Sequence, residues 1–571
     1  MNPPIKRWHW LCLITAGLFY VVFIWKNSFF FGGVRCFSLF DDGMISMRYA
    51  KNLADGFGLR WNPGEPPVEG YTNLLWTLYL ALIHLLPIAI YKTSLVVMLS
   101  GVVILIANML VTKRIAELVA GENSYAPLAS MVLTAFYYPL IYWTLRGMEV
   151  GFLCLLVNYA VLCAMRLHDK YSTGNVLGLT LALAAALLTR PDMVVPIGVI
   201  GLFLIFVISK SGFKLGFLLT PLIIGAVMVG LTMFRMKYYG EPVPNTYYLK
   251  VTGVTLWERI DRGIIVLAEL FAYHLWPVLV LLLVGLWANP QIRWNPKVIL
   301  LLGLFFGQSV YSVYVGGDAW EWMNFSNRYV CIALPALFVV FSTIVCNADV
   351  SQIKKLSLAV PFLGVGLFIQ SYYYVKIKPE KLAAASLIAV GLFVLLAGGW
   401  VWLRNRKSQI PAPFFASIVI LIACLTLNFF GTSNWIFQKN NGLLIKLDAV
   451  ASRHGMMLNK ATTPDITIAY VWAGATPYFA GRKAIDLLGK SDPVIAKGKP
   501  ATKFFPGHNK WNYSYSVGQL KPDLVEALWE PTDTDLSNMT AWGYEPCLGR
   551  SYLRLASTNK VNLAVLGGPD Q

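Results

Sequence analysis

The chain has 571 residues, of which 57% are apolar and only 13% charged. Soluble chains carry about 25% charged residues, so this balance excludes a globular cytosolic enzyme, a disordered chain and a disulfide scaffold, and leaves a polytopic membrane protein. Forty-seven Lys and Arg against 29 Asp and Glu give a net charge of +18, which suits anionic lipid headgroups or phosphate substrates rather than nucleic acid.

In chain order, Lys6 and Arg7 precede an uncharged run from Trp10 to Trp25 with no small-residue cleavage site behind it, the pattern of a retained anchor. A polar loop over 31–73 follows, then an apolar stretch over 74–90. Runs of bilayer length occupy 95–112, 124–142, 150–165, 174–189, 193–209, 215–234, 263–287, 298–315, 329–346, 356–375, 382–403 and 411–431. With the first, that predicts about thirteen spans. If 74–90 is a juxtamembrane helix, one side collects Lys6/Arg7, Lys113/Arg114, Arg166/Lys170, Lys210/Lys214, Arg293/Lys297, Lys354/Lys355 and Arg404/Arg406/Lys407. Only Lys376, Lys378 and Lys381 dissent. The N-terminus is therefore expected in the cytoplasm, residues 1–438 as the transmembrane module, and 439–571 as an extracytoplasmic domain. Alternating segments such as Asp465–Val471 predict a mixed α/β fold for that domain, whose roughly 130 residues can bury a core of their own.

The eight cysteines show no C-x-x-C spacing, and nothing pairs Cys36 with Cys547. The six histidines never cluster, so no metal site is expected from them. Glu269 and His274, inside an expected span, should face the bundle interior.

The polar residues gather at one set of span ends. Asp41 and Asp42 open the helix after the first span, with Arg48 and Lys51 further along it. One acid suffices for a cap; two side by side at a low-dielectric boundary push their pKa values apart, which suits a general base. A divalent ion between them is the alternative, although none is required. Arg146, Arg190, Arg235, Lys250 and Arg328 end five different segments. Singly, each is explained by snorkelling to a headgroup; together they can surround one cavity and hold a phosphate ester. Glu149 and Asp192 are equally readable as pairs for the arginines or as substrate contacts. Asp318 and Glu321 follow Gly316 and Gly317, where backbone can approach a ligand. Trp61, Tyr71, Tyr239, Tyr248, Trp320 and Trp322 suit an interface belt, and a few of them a sugar face.

The first loop, Asp41-Asp-Gly-Met-Ile-Ser-Met-Arg-Tyr-Ala-Lys-Asn-Leu-Ala with Trp61-Asn-Pro-Gly-Glu65 and Glu69-Gly-Tyr-Thr-Asn73, resembles the GT-C glycosyltransferases. More narrowly it is similar to bacterial arabinofuranosyltransferases of the terminal arabinan and pilin type, which use a polyprenyl-phosphate donor. Gly147-Met-Glu149, Leu188-Thr-Arg-Pro-Asp192, Tyr239-Gly with Pro244-Asn-Thr-Tyr-Tyr248 and Lys250, Gly316-Gly-Asp318, Trp472–Phe479, Ala484–Gly489 and Pro506-Gly-His-Asn-Lys-Trp511 agree with it. Gly43, and the placing of Arg328 ten residues after Asp318, depart from its pattern.

The resemblance implies inverting transfer of a sugar to a cell-envelope glycan or pilin-like acceptor at the outer face of a bacterial inner membrane. It places the base at Asp41, with Asp42 as its partner or the base itself. Substrate contacts fall at Arg48, Arg146, Glu149, Arg190, Asp192, Arg235, Tyr239, Asn245, Tyr248, Lys250, Asp318 and Arg328, and acceptor contacts at Trp61, Glu69, Tyr71, Asn73 and His508. A transporter or flippase of an anionic or lipid-linked solute is the alternative class.

Overall fold

The structure, a computed structural model, describes residues 3–321, 327–357, 411–437, 443–549 and 551–567. Among the described residues six helices are long and apolar enough to cross a membrane, or eight if two bent pairs each count as one span. Leu202, Leu222, Val229 and Met233 on their outer faces are exposed, as lipid-facing positions are in a multi-pass membrane protein. The expected spans at 356–375 and 382–403 lie outside the described residues.

Helix α1 (Pro3–Lys26) is followed by a hairpin of β1 (Phe29–Phe31) and β2 (Val34–Cys36), then by α2 (Asp41–Ala54). Helix α3 (Leu74–His84) has 11 residues; at ~1.5 Å per residue it is too short to cross a bilayer. Helix α4 (Ile90–Ala120) is longer than the run expected at 95–112.

The run at 124–142 is bent by 52° into α5 (Ala126–Phe136) and α6 (Tyr138–Leu145). Pro139 sits at the break, and Asn428 Oδ1 accepts the Tyr138 N–H that the break leaves over, at 2.6 Å. Helices α7 (Val150–Asp169), α8 (Thr173–Thr189), α9 (Val194–Ser211) and α10 (Leu219–Tyr239) continue the bundle. A short α11 (Asn245–Val251) precedes α12 (Leu256–Leu270) and α13 (Trp276–Ala288), which are joined by a π-turn over Phe271–Leu275. The span expected at 263–287 is thus broken where Pro277 cannot donate to the preceding turn. His274 is buried there, but Glu269 is exposed, contrary to the expectation that it faces inward; its position on the helix turns it off the packed face.

Residues 443–566 fold around a five-stranded sheet of β3 (Thr467–Tyr470), β4 (Lys483–Asp486), β5 (Leu524–Val525), β6 (Tyr544–Pro546) and β7 (Tyr552–Arg554), in the order β4-β3-β5-β7-β6. The first three strands are parallel and the last two antiparallel to their neighbours. Alternation along β3 sends Ile468 and Tyr470 to one core and Ala469 to another.

Helix α2 lies between this sheet and the bundle. Met44 and Met47 join the bundle core, while Ile45 and Tyr49 join the core under the sheet. The short helix Ala475–Ala480 carries Tyr478 and Phe479 into the bundle core. The two parts are also tied by a buried ion pair, Arg146 Nη2 to Asp448 Oδ2 at 2.5 Å, and Arg146 further donates to the Ser38 and Leu39 carbonyls at 2.8 and 2.9 Å. Arg146 and Asp448 are almost wholly buried. Removing one partner strands the other, at a cost of about 3–5 kcal/mol. Arg146→Met is therefore expected to lower the melting temperature in detergent by several degrees, and adding Asp448→Leu should restore most of the loss.

Candidate active site

Asp41 and Asp42 occupy the first turn of α2, where exposed backbone N–H groups favour negative charge. Their side chains part. Asp42 Oδ1 accepts from Lys490 Nζ at 2.8 Å, and Oδ2 accepts from Arg328 Nη1 at 3.0 Å and Trp320 Nε1 at 3.2 Å. Burial pushes the Asp42 carboxyl up, but Lys490 and then Arg328 outweigh it and hold it well below the usual carboxylate range. Asp41 Oδ1 accepts only a backbone N–H, from Ala475 at 2.8 Å, and its Oδ2 is buried with no partner among the described residues. Burial raises Asp41 to about 6 against the pull of Lys490. One acid is kept ionised and its neighbour is poised near neutrality.

Asp42 opens onto a cavity of about 100 Å³ whose lining also includes Tyr71, Asn73, Glu149, Arg190, Lys250, Asp318, Arg328, Lys490 and His508. Loop chemistry places each cation. The positive φ of Gly316 (+85°) and Gly317 (+77°) ends the helix Pro296–Val315 in a tight turn leading into Asp318. Asp318 holds Arg328 through Nε at 2.5 Å and Nη2 at 2.6 Å, a two-point grip on the guanidinium that bridges to Asp42. Glu321 Oε1 accepts the Asp318 N–H at 2.7 Å and Asn327 Nδ2 at 2.6 Å, fixing that loop.

Lys490 is aimed by the turn after β4. Asp486 accepts the N–H groups of Leu488, Gly489 and Ser491 at 2.7–3.1 Å, and Asn245 Nδ2 donates to the carbonyls of Gly489 and Lys490 at 2.9 and 3.0 Å. Arg190 is gripped by Asp192 through two bonds of 2.9 Å and reaches Glu149 at 3.0 Å. Asn73 donates to Glu149 at 2.8 Å and accepts from Ser46 at 2.8 Å.

Among the described residues Lys250 makes no ion pair, and the lining holds four cationic side chains against three carboxylates. His508 Nδ1 lies 3.0 Å from the Pro506 carbonyl, which can only accept, so Nδ1 carries the proton and Nε2 is a bare acceptor. No described residue satisfies that Nε2, and burial pushes the imidazole down to about 3, keeping it neutral.

The remaining candidates do not line this cavity. Arg235 is bidentate on Glu69 at 2.8 and 3.0 Å, which spends both on fixing the first loop to the end of α10. Arg48 donates to the Trp61, Pro477 and Arg482 carbonyls and to Asn62, and stacks on the Trp61 ring at 5.0 Å, so Arg48 and Trp61 serve the contact between α2 and the sheet domain. Tyr239 meets the Tyr71 hydroxyl at 2.9 Å, Tyr248 donates to Glu241 at 2.7 Å, and Asn245 acts through the Lys490 turn. The five-cation cluster is thereby corrected: Arg190, Lys250 and Arg328 converge, whereas Arg146 and Arg235 are each consumed by a buried carboxylate. Lys490 completes the set and was missed; the only sequence signal was its place directly after the Ala484–Gly489 motif. Trp322 lies outside the described residues. No three described His, Cys, Asp or Glu side chains are placed to hold a metal ion, and the eight cysteines are free thiols.

With this geometry in view, two curated relatives are informative. The terminal β-(1→2)-arabinofuranosyltransferase of Corynebacterium glutamicum is 27% identical over 377 residues, 59% of this chain and 51% of that protein. That of Mycobacterium tuberculosis is 29% identical over 255 residues, 42% of this chain and 39% of that protein. The chain thus spans about half the length, or less, of the curated relatives it matches. Among solved structures, ArnT from Cupriavidus metallidurans matches over 99% of both chains, with a TM-score of 0.59 and 13% identity in the apo state, and 0.58 and 12% bound to undecaprenyl phosphate. A domain of unknown function (DUF8728) matches residues 445–555, the part that supplies Lys490 and His508. The chain has the GT-C membrane fold, and the resemblance to arabinofuranosyltransferases drawn from its first loop stands.

Gly474 meets Asp41 so closely that an added Cβ would sit 1.9 Å from the Asp41 carbonyl oxygen. Gly474→Ala is expected to force the Asp41 turn and the Ala475 N–H apart at a cost of about 1–3 kcal/mol. A lowered melting temperature in detergent, with membrane insertion intact, would report it.

Proposed function

We propose that the protein is an inverting glycosyltransferase that moves a sugar, arabinofuranose by its relatives, from a polyprenyl-phosphate donor to an acceptor hydroxyl outside the cytoplasm. The observation that carries this reading is the cationic cavity beside two unequal carboxyls: Lys250, Arg328, Lys490 and Arg190 surround a space bordered by Asp42. Three of the four are already paired, which leaves a net attraction centred on Lys250 for one phosphate.

In this mechanism Asp41 Oδ2 removes the proton from the acceptor hydroxyl as its oxygen attacks the anomeric carbon. The bond from that carbon to the phosphate oxygen breaks, and the electron pair leaves with the polyprenyl phosphate. Lys250 and Lys490 stabilise the charge that develops there, and Arg328 keeps Asp42 ionised. Asp42 is too firmly held by two cations to be the better base. The bare Nε2 of His508 accepts a hydroxyl of the donor sugar. The same reading places the N-terminus in the cytoplasm of a bacterium, about thirteen spans in its inner membrane, and residues 439–571 outside as a separate domain. Asp42, Lys250, Arg190 and Lys490 share one cavity, so the segments that carry them end at the same face.

Release of polyprenyl phosphate from polyprenyl-phosphoryl-arabinofuranose by the purified chain tests the proposal. Asp41→Asn is expected to lower kcat by about 10²–10⁴, whereas Lys250→Met should chiefly raise KM for the donor. A chain that releases no polyprenyl phosphate from any such donor, while liposomes containing it pass solute, would be a transporter. Because Asp41 must be deprotonated to act, the rate should fall as pH drops below about 6. Removing the cation that lowers Asp41, with Lys490→Met, should move that acid limb to higher pH.

A further inference from the structure

Lys510 lies in the Pro506–Trp511 stretch of the sheet domain and is completely buried. Unlike Arg146, Arg190, Arg235, Arg328 and Lys490, it meets no carboxylate among the described residues. Burial alone pushes its ammonium down to about 8. An apolar side chain of similar length would fill the space at less cost, so the charge has a task. Its Nζ donates to two carbonyls, that of Ala496 at 2.7 Å and that of Tyr248 at 3.1 Å. Ala496 lies in the last turn of the short helix Pro493–Lys497, and Tyr248 in the last turn of α11. The two helices thus share one cation at their C-terminal ends, where the carbonyl ends of the backbone dipoles favour positive charge.

Both helices belong to the cationic cavity. Lys250 follows Tyr248 within α11, and Lys490 stands in the turn that leads into Pro493–Lys497. At the start of α11 Asn245 Nδ2 donates to the carbonyls of Gly489, Lys490 and Asp492 at 2.9, 3.0 and 3.3 Å. A helix of seven residues does not hold itself in water. Two buried clamps bind it to the sheet domain, Asn245 at its first residue and Lys510 in its last turn. A third tie, the pair of Lys497 with Glu241, is exposed and adds little. The stretch that carries Lys510 also touches the stem of Lys250: a Cβ built on Gly507 would lie 3.9 Å from Lys250 Cε.

We propose that Lys510 is a positioning residue for the donor phosphate: by holding α11 against the helix Pro493–Lys497 it fixes the spacing of Lys250 and Lys490, so that both ammonium groups meet one phosphate. This rests on the glycosyltransferase reading of the cavity. Lys510 is not part of the cavity lining, so it acts through Lys250 and not on the substrate. Lys490 keeps its own holds, Asp42 on its Nζ and Asn245 on its carbonyl, when Lys510 is lost. What is freed is the end of α11 that carries Lys250. Donor binding then loosens while the Asp41 base stays as it was.

The test is a double-mutant cycle on the full chain in detergent, with decaprenyl phosphate titrated by calorimetry against wild type, Lys250→Met, Lys510→Met and the double variant. Lys510→Met keeps the length of the side chain and loses only its N–H groups. Alone it is expected to weaken binding about tenfold. In the Lys250→Met background it should weaken binding by no more than about twofold, because the contact it positions is already gone. Equal weakening in both backgrounds marks a merely structural role and overturns the proposal, as does no weakening in either. Should Lys510→Met not fold, Lys510→Gln, which keeps an amide donor, enters the same cycle, with a smaller loss expected and the same demand that the loss vanish without Lys250. In turnover of polyprenyl-phosphoryl-arabinofuranose, Lys510→Met should raise KM about tenfold and leave kcat within about twofold; a fall in kcat at unchanged KM contradicts it. Wild type that binds decaprenyl phosphate no better than Lys250→Met removes the donor site and both readings with it. Binding that depends on Lys250 but not on Lys510 removes this one alone.

Discussion

Lys490 and Arg328 close on the two oxygens of Asp42, while its neighbour Asp41 receives only a backbone N–H from Ala475. Everything chemical about the site follows from that inequality. Adjacent carboxyls in a buried turn repel each other and cannot both be comfortably ionised. Two cations settle the matter for Asp42, and burial leaves Asp41 near its protonation midpoint. A base must shed its proton at working pH and still want one back, and Asp41 alone of the pair meets that condition.

The inequality is assembled from both halves of the molecule. Arg328 and Asp318 come from the end of the bundle, Lys490 and the Ala475 N–H from the sheet domain, and α2 lies between with one face in each core. Much of the buried polar chemistry nearby keeps that seam in register. Arg48 holds two carbonyls across it, those of Pro477 and Arg482, Arg235 and Glu69 anchor the first loop, and Arg146 with Asp448 ties the bundle to the helix Leu443–Ala461. The cavity beside Asp42 is lined by four cationic side chains against three carboxylates, which favours an anionic ligand there.

The convergent residues were readable from sequence because chain threading brings like-sided span ends together. Glu149, Arg190, Asp318 and Arg328 sit at the ends of long apolar helices, Asn73 and Lys250 in the segments that connect such helices, and they share a cavity. Arg146, Arg235 and Arg48 sit at similar places yet point elsewhere, because a single sequence does not reveal which buried carboxylate or carbonyl will claim a guanidinium. Lys490 went unnoticed for the opposite reason. It lies in a domain whose turns, such as the one Asp486 holds, aim side chains in ways that hydropathy does not encode. The positions of the apolar helices were legible, but not all their lengths, since α4 runs well past the stretch expected at 95–112, and not the breaks at Pro139 and Pro277, where a spanning run reads as continuous although its ladder of hydrogen bonds is not.

The location of the donor's phosphate decides the account most directly. A density map of Asp41→Asn with bound decaprenyl phosphate should place the phosphate within hydrogen-bond reach of Lys250 and Lys490, beside Asp42. A phosphate found outside that cavity would contradict it.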